Sequence, residues 1–313
     1  MIICCGEALI DFIPTEDGQA YRPCPGGSIL NIAVGLGRMG VPVGFLSRLS
    51  TDLFGDMLAD HLSNNQVDLQ ICPRVPGQTT LAFVSLHSKK SNEPQYAFYA
   101  AGAVDRTLTF EDLPAGFDEK VSVLHFGSIS LVLEPGASAL ESVMKRESRR
   151  RILTLDPNVR PIVISDWNVY RDRFEKWVSW VDILRLSEAD LALLYPETEI
   201  RNHLSRWFKA GISLVILTQG ENSATAYLPN GTRAFVPTRK VAVKDTVGAG
   251  DTFFSAVLTY LHDHNTFTDI KRISRMSQED LEACLTFAAN AAAINCMRNG
   301  ANPPYRHEMD LFD

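Results

Sequence analysis

Asp251 closes the stretch of this chain richest in possible chemistry, Asp245-Thr246-Val247-Gly248-Ala249-Gly250-Asp251-Thr252. Small residues ahead of an apolar helical run form a tight turn whose backbone N–H groups converge at a positive helix end, an anion site by geometry. A strand is expected to end near Val243 and the helix to start at about Asp251. Two readings of Asp251 follow. As a helix cap it would only accept from first-turn amides. Beside an anion site it could instead take a proton from a hydroxyl, while the amides steady charge on the group that hydroxyl attacks. The residues alone leave both open.

That turn needs elements to hold it. Short β-rich apolar runs alternate with helical patterns, which predicts an α/β fold, a mostly parallel sheet with helices on both faces. The runs are Ile2–Leu9, Val43–Leu49, Val121–Phe126, Ile152–Leu155, Ile183–Leu186 and Leu214–Thr218. Several stop at a polar residue or glycine turn: Asp11, Gly127-Ser128, Asp156-Pro157-Asn158, Ser187 and Thr218-Gln219-Gly220. Ligands of open α/β sheets sit beyond the carboxyl ends of the strands, so these residues are expected to gather on one edge. Two segments break the rhythm. Thr80–His87 alternates at period two, and Tyr96–Ala100 reads as a second strand after the polar stretch Lys89–Pro94. With the extended, proline-interrupted Phe12–Pro25 they predict a small separate sheet, either a lid or surface decoration. A clearer hairpin joins Ala224–Leu228 to Arg233–Val236 through Asn230-Gly231.

Composition narrows the function. The 313 residues are 45% hydrophobic and 21% charged, with 30 basic against 37 acidic side chains and a net charge of −7. Such a balance argues against nucleic acid or an anionic membrane as the main partner. No uncharged run reaches spanning length, and the N-terminus does not read as a signal peptide. Six cysteines form no C-x-x-C pair and no zinc spacing, so buried free thiols in a cytoplasmic protein are expected. Gly35-Leu36-Gly37-Arg38-Met39-Gly40 matches a dinucleotide fingerprint. It lies in a helical stretch rather than after a strand, so it reads as close helix packing. No P-loop occurs, and His125 reads as a core histidine.

Gly248-Ala249-Gly250-Asp251 behind Asp245-Thr246 resembles the C-terminal signature of the ribokinase-like, or PfkB, carbohydrate kinases. The N-terminal signature is matched by Gly26-Gly27-Ser28-Ile29-Leu30-Asn31-Ile32-Ala33, then Leu36-Gly37-Arg38-Met39-Gly40 and Asp52-Leu53-Phe54-Gly55. Similarity runs from Gly6 to Pro303. The resemblance implies one ribokinase-like kinase domain over 1–313, with lid segments at approximately 12–25 and 80–100. It also implies a sugar bound between domain and lid and ATP along the sheet edge. Asp251 matches the catalytic base, and Gly248, Ala249 and Gly250 match the anion hole. Asp11, Gly27 and Asn31 match positions that hold sugar hydroxyls, a task that carboxylates and amides suit, and Phe98 joins them. Ser187, Thr218, Gly220 and Gly250 match the nucleotide side, with Asn290 at the adenine. The stretch Asp156-Pro157-Asn158-Val159-Arg160-Pro161 resembles the fructokinase-like branch, as does Phe98-Tyr99 with Gly102-Ala103-Val104-Asp105-Arg106-Thr107. It puts Arg160 near the transferred phosphoryl group, where a cation stabilises charge. The implied cofactors are ATP and Mg2+, with Asp190 toward magnesium and Asp245 toward a monovalent cation such as K+.

Three positions depart from the pattern. Ser187-Glu188-Ala189-Asp190 replaces the family's Asn-x-x-Glu and also reads as a capping box. Ala100 stands where the branch usually carries an arginine that touches sugar, and Pro304 where ribokinases have a serine near potassium. The leading expectation is ATP-dependent phosphorylation of a primary hydroxyl of a free sugar, fructose. Ribose, 2-keto-3-deoxygluconate or a nucleoside would keep the reaction and change the acceptor. A non-catalytic sugar- or nucleotide-binding regulator is the other class, against which the intact Asp251 turn counts. Edge strands of a lid sheet also invite pairing, so a homodimer through the lid is expected.

Overall fold

The computed structural model describes all residues except 16, 86–94, 311 and 313. Its frame is a nine-stranded sheet. In spatial order the strands are Arg233–Pro237, Ser223–Tyr227, Leu214–Thr218, Ile183–Ser187, Ile152–Asp156, Val123–Gly127, Ile2–Cys5, Val43–Leu46 and Val67–Asp68. From Leu214–Thr218 onward all pairs are parallel, and the two outermost strands are the expected Asn-Gly hairpin, added antiparallel. The pleat sends alternate residues into opposite cores. Ile2 and Cys4 join the core beneath the helices Ser28–Arg38, Leu53–Asn64, Ala249–Asp263 and Gln278–Cys296. Ile3 and Cys5 join the other, beneath Gly136–Glu147, Trp167–Val178, Glu188–Leu194 and Arg201–Ala210. Helices therefore cover both faces, as the alternating runs predict.

Two runs break where the sequence reads as continuous. Ile2–Leu9 is two strands in two sheets: the chain leaves the main sheet after Cys5 and enters the small one at Leu9. Gly6 makes the corner, where a Cβ would meet Ser130 Oγ at 2.5 Å. Val43–Leu49 likewise ends its main-sheet strand at Leu46, and Leu49–Ser50 pairs with Arg74–Val75. The small sheet runs Tyr21–Gly26, Leu9–Pro14, Leu81–Ser85, Gln95–Tyr99. Leu81–Ser85 falls within the expected Thr80–His87, Tyr21–Gly26 and Gln95–Tyr99 each overrun their expected segments by one residue, and Leu9–Pro14 begins three residues before the expected Phe12. Residues 86–94, the end of the first run and the polar stretch Lys89–Pro94, lie outside the described residues. Of the fingerprint glycines, Gly35 and Gly37 sit inside the Ser28–Arg38 helix and Gly40 follows its end. Side chains at Gly35 and Gly37 would strike Ser255 Oγ and the Asn65 carbonyl, at 2.3 and 1.9 Å, so they do serve close packing.

All six cysteines are free, but Cys24 and Cys296 are partly exposed rather than buried. His125 is a core residue: fully buried, bonded through Nδ1 to Thr154 Oγ1 at 2.9 Å, and edge-on to Phe254. Burial holds its pKa down to about 3, so it stays neutral. No helix among the described residues is long and apolar enough to cross a membrane.

Candidate active site

The approach to the glycine turn differs from expectation. Residues 238–244 form no strand; Lys244 and Asp245 donate their backbone N–H groups to the Cys296 carbonyl instead. Gly248, at φ 72°, adopts the left-handed conformation that glycine tolerates and is the N-cap, so the helix begins at Ala249, two residues before Asp251. Asp251 is therefore inside the first turn, and its carboxylate does not cap the helix. Oδ1 accepts from Ser28 Oγ at 2.7 Å and Oδ2 from Asn31 Nδ2 at 2.8 Å. Asn158 Nδ2 donates to Ser28 Oγ at 2.8 Å and reaches Asp251 Oδ1 at 3.4 Å. Side chains from two distant segments thus fix a buried carboxylate, 7% exposed, at one cavity wall. The cap reading fails on this geometry.

Two cavities meet at the turn. The first, about 360 Å³, is walled by Asp251, Asn31, Gly27, Asp11, Phe98 and Arg160, among others. The small sheet supplies Leu9, Asp11 and Phe98, which share one of its faces; the other face carries the stacked Phe12 and Phe83, 4.6 Å between centroids. Gly26 leaves room for Asp11, whose Oδ2 lies 2.1 Å from where a Cβ at residue 26 would stand. Burial pushes the Asp11 carboxyl up to about 7, opposed by Arg160 and reinforced by Asp251. Arg160 lines this first cavity only. Glu7 is buried behind Gly27 and bonded to Ser130.

The second cavity, about 550 Å³, is the more apolar, with Val236, Val243, Phe253 and the helix residues Ala289, Ala292 and Ala293 in its wall. Thr218 and Gly220, the residues matched to the nucleotide side, line it. Asn290 does not: it sits one step round the helix, buried, and accepts from Arg239 Nη1 at 3.2 Å, and it is Arg239 that faces the cavity. Ser187 belongs to both walls. Asp190 forms the capping box with it, Oδ2 accepting from Ser187 N and Oγ at 2.9 and 2.6 Å, while Oδ1 accepts from Val159 N at 2.7 Å. Asp245 clasps two loops, accepting from Val247 N at 3.0 Å and Gly300 N at 2.8 Å, and lines neither cavity. Ala100 is buried at the foot of the small sheet, outside the lining.

Comparison with known proteins gives the family. The profile of the "pfkB family carbohydrate kinase" matches residues 1–308. The chain belongs to the pfkB family of carbohydrate kinases. It is 35% identical over 284 residues to a fructokinase of Rhizobium leguminosarum bv. trifolii, covering 90% of this chain and 85% of that one. A fructokinase of Xylella fastidiosa with bound ATP superposes with a TM-score of 0.86 at 26% identity, covering 99% and 97%. A fructokinase of Vibrio cholerae O395, in its fructose-, ADP- and calcium-bound form, gives 0.84 at 26% identity, covering 99% and 98%. Within the family frame, the residues that sequence reading missed are Ser28 and Asn158, which hold Asp251, and Arg185 and Arg239. Arg185 was hidden in an apolar run, where a charged residue was the only signal.

Proposed function

We propose that this pfkB-family kinase transfers the γ-phosphoryl group of ATP to the primary hydroxyl of fructose. One observation carries the reading: the Asp251 carboxylate, held by Ser28 and Asn31, lines a polar cavity and directly follows Ala249 and Gly250, which that cavity shares with a more apolar one. Fructose in the first cavity would meet Asp11 and Asn158 side chains and the Gly27 turn. The adenine suits the alanine-lined wall of the second. The acceptor oxygen then forms its bond to phosphorus as the β–γ bridging bond breaks and ADP leaves with that electron pair. Asp251 takes the hydroxyl proton, and the first-turn amide of Gly250, which has no intrahelical acceptor, faces the developing charge, while the Ala249 N–H donates to the Thr246 carbonyl at 3.2 Å. Arg160 steadies the acceptor side beside Asp11. The fructose acceptor is supported by the relatives and by Asp156-Pro157-Asn158 with Arg160 at the cavity wall.

Magnesium fits as a passenger on the nucleotide. Among the described residues no three metal-ligating side chains cluster, and this ion commonly binds through phosphates, waters and one or two carboxylates. Asp190, its oxygens engaged with backbone and Ser187, suits a water-mediated hold. When bound, the ion would neutralise phosphate charge.

The outer face of the small sheet presents Tyr21 and Tyr99, 47% and 64% exposed, around Phe83. That aromatic face supports a homodimer through the lid. The function is tested by coupled ADP release across fructose, ribose, 2-keto-3-deoxygluconate and nucleosides. Fructose is expected to give the highest kcat/KM; a folded, magnesium-supplied protein with no acceptor-dependent release would overturn the kinase reading.

A further inference from the structure

Arg185 lies in the middle of the strand Ile183–Ser187 and is 6% exposed, an unusual place for a cation. Nη1 donates to Asp156 Oδ2 at 2.6 Å and Nη2 to Thr218 Oγ1 at 2.7 Å, while Nε has no partner among the described residues. Three neighbouring strands thus hold the guanidinium in one orientation. The side chain packs against the glycine turn, with Nη2 and Nη1 3.0 and 3.2 Å from where a Cβ on Gly250 would stand. A cation at that end of a helix is electrostatically misplaced for stability, since the N-terminus is itself positive. The conflict disappears if an anion sits between the guanidinium and the amides. Burial works against the Arg185 charge, but Asp156, Asp190 and Asp251 outweigh it, so the side chain stays protonated.

Its location says which anion. Five residues line both cavities, namely Arg185, Ser187, Thr246, Ala249 and Gly250, and Arg185 is the charged one. A group passing from one cavity to the other goes by this side chain. We propose that Arg185 contacts the phosphoryl group in transit between nucleotide and acceptor, and that Asp156 is the positioning residue that aims it. This rests on the kinase reading above. The guanidinium neither gains nor loses a proton: it stabilises charge while the acceptor O–P bond forms, the β–γ bond breaks, ADP takes the electron pair and Asp251 takes the proton. Arg160 lines the acceptor cavity alone.

The test compares Arg185→Met and Arg185→Ala with wild type. Contacts made only in the transition state appear in kcat, so Arg185→Met should lose at least ~100-fold in kcat. KM for ATP and for fructose should each move by less than about fivefold. Added guanidinium at tens of millimolar should restore part of the Arg185→Ala turnover, a rescue that a purely structural ion pair would not show as a rise in kcat. Asp156→Asn should fall less, by roughly tenfold. Turnover above about a third of wild type in Arg185→Met overturns the proposal. If that variant fails to fold, Arg185→Met with Asp156→Leu removes both buried charges. Near-normal turnover in the folded double variant, or its failure to fold together with no guanidinium rescue of Arg185→Ala, overturns the proposal equally. Wild-type activity, measured alongside, separates this outcome from failure of the kinase reading itself, in which wild type is also inactive.

Discussion

At Asp11 a carboxyl is carried into a cavity wall against its ordinary preference, with its pKa pushed up from 3.8 to about 7 by burial. Between those values the folded chain binds a proton here that the unfolded chain does not. Stability at this site therefore falls as pH rises from about 4 to 7 and stays low above. Asp11→Asn, without sugar, should melt roughly 2–4 °C above wild type at pH 8, with the gap closing near pH 4.5. A variant that gains nothing at pH 8 would show that the carboxylate is well solvated. The cost has a functional counterpart: an ionised Asp11 accepts from hydroxyls, so KM for sugar should rise below pH 7 in wild type and less in the variant. Much of this site was legible as residues. Asp251 and its glycines, Asp11, Gly27 and Asn31 are small or polar residues in motifs whose chemistry is local. Arg185 was not, because its meaning depends on Asp156 and Thr218, on neighbouring strands 29 and 33 positions away.

Among the elements, the small sheet has the clearest job. It supplies Leu9, Asp11 and Phe98 to the first cavity. The entry to the strand Leu81–Ser85 is tied down, by Thr80 Oγ1 donating to Asp105 Oδ1 at 2.6 Å and by Thr79 bonded to Asp52. Such a sheet can close over a sugar and keep water from the phosphoryl group. Hydrogen exchange in the strands Leu81–Ser85 and Gln95–Tyr99 should slow at least severalfold with fructose bound. Unchanged exchange at saturating sugar would reduce the sheet to a fixed wall. Period-two alternation located these strands, whereas the break at Gly6 was not read from the run Ile2–Leu9, which only Gly6 and Glu7 interrupt, because the packing of Ser130 and Ile29 forces the corner. The strand expected near Val243 was likewise an apolar stretch, and its backbone bonds to a helix end instead.

For the whole molecule, the aromatic outer face of the lid makes self-association the expected state: sedimentation at micromolar concentration should give a dimer, and substitution of both Tyr21 and Tyr99 by Ser should give a monomer. A wild-type monomer would remove the lid from the assembly. The larger claim is that segments more than 200 positions apart, Ser28 and Asn31 against Asp251, fold into one reaction centre. Asp251→Asn tests that claim most directly, since it keeps the shape of the side chain while removing the proton acceptor. The account predicts a fall in kcat of at least ~100-fold, with KM for fructose moving less than about fivefold and the fold intact. Retention of more than about a tenth of wild-type turnover would contradict it and place the base elsewhere.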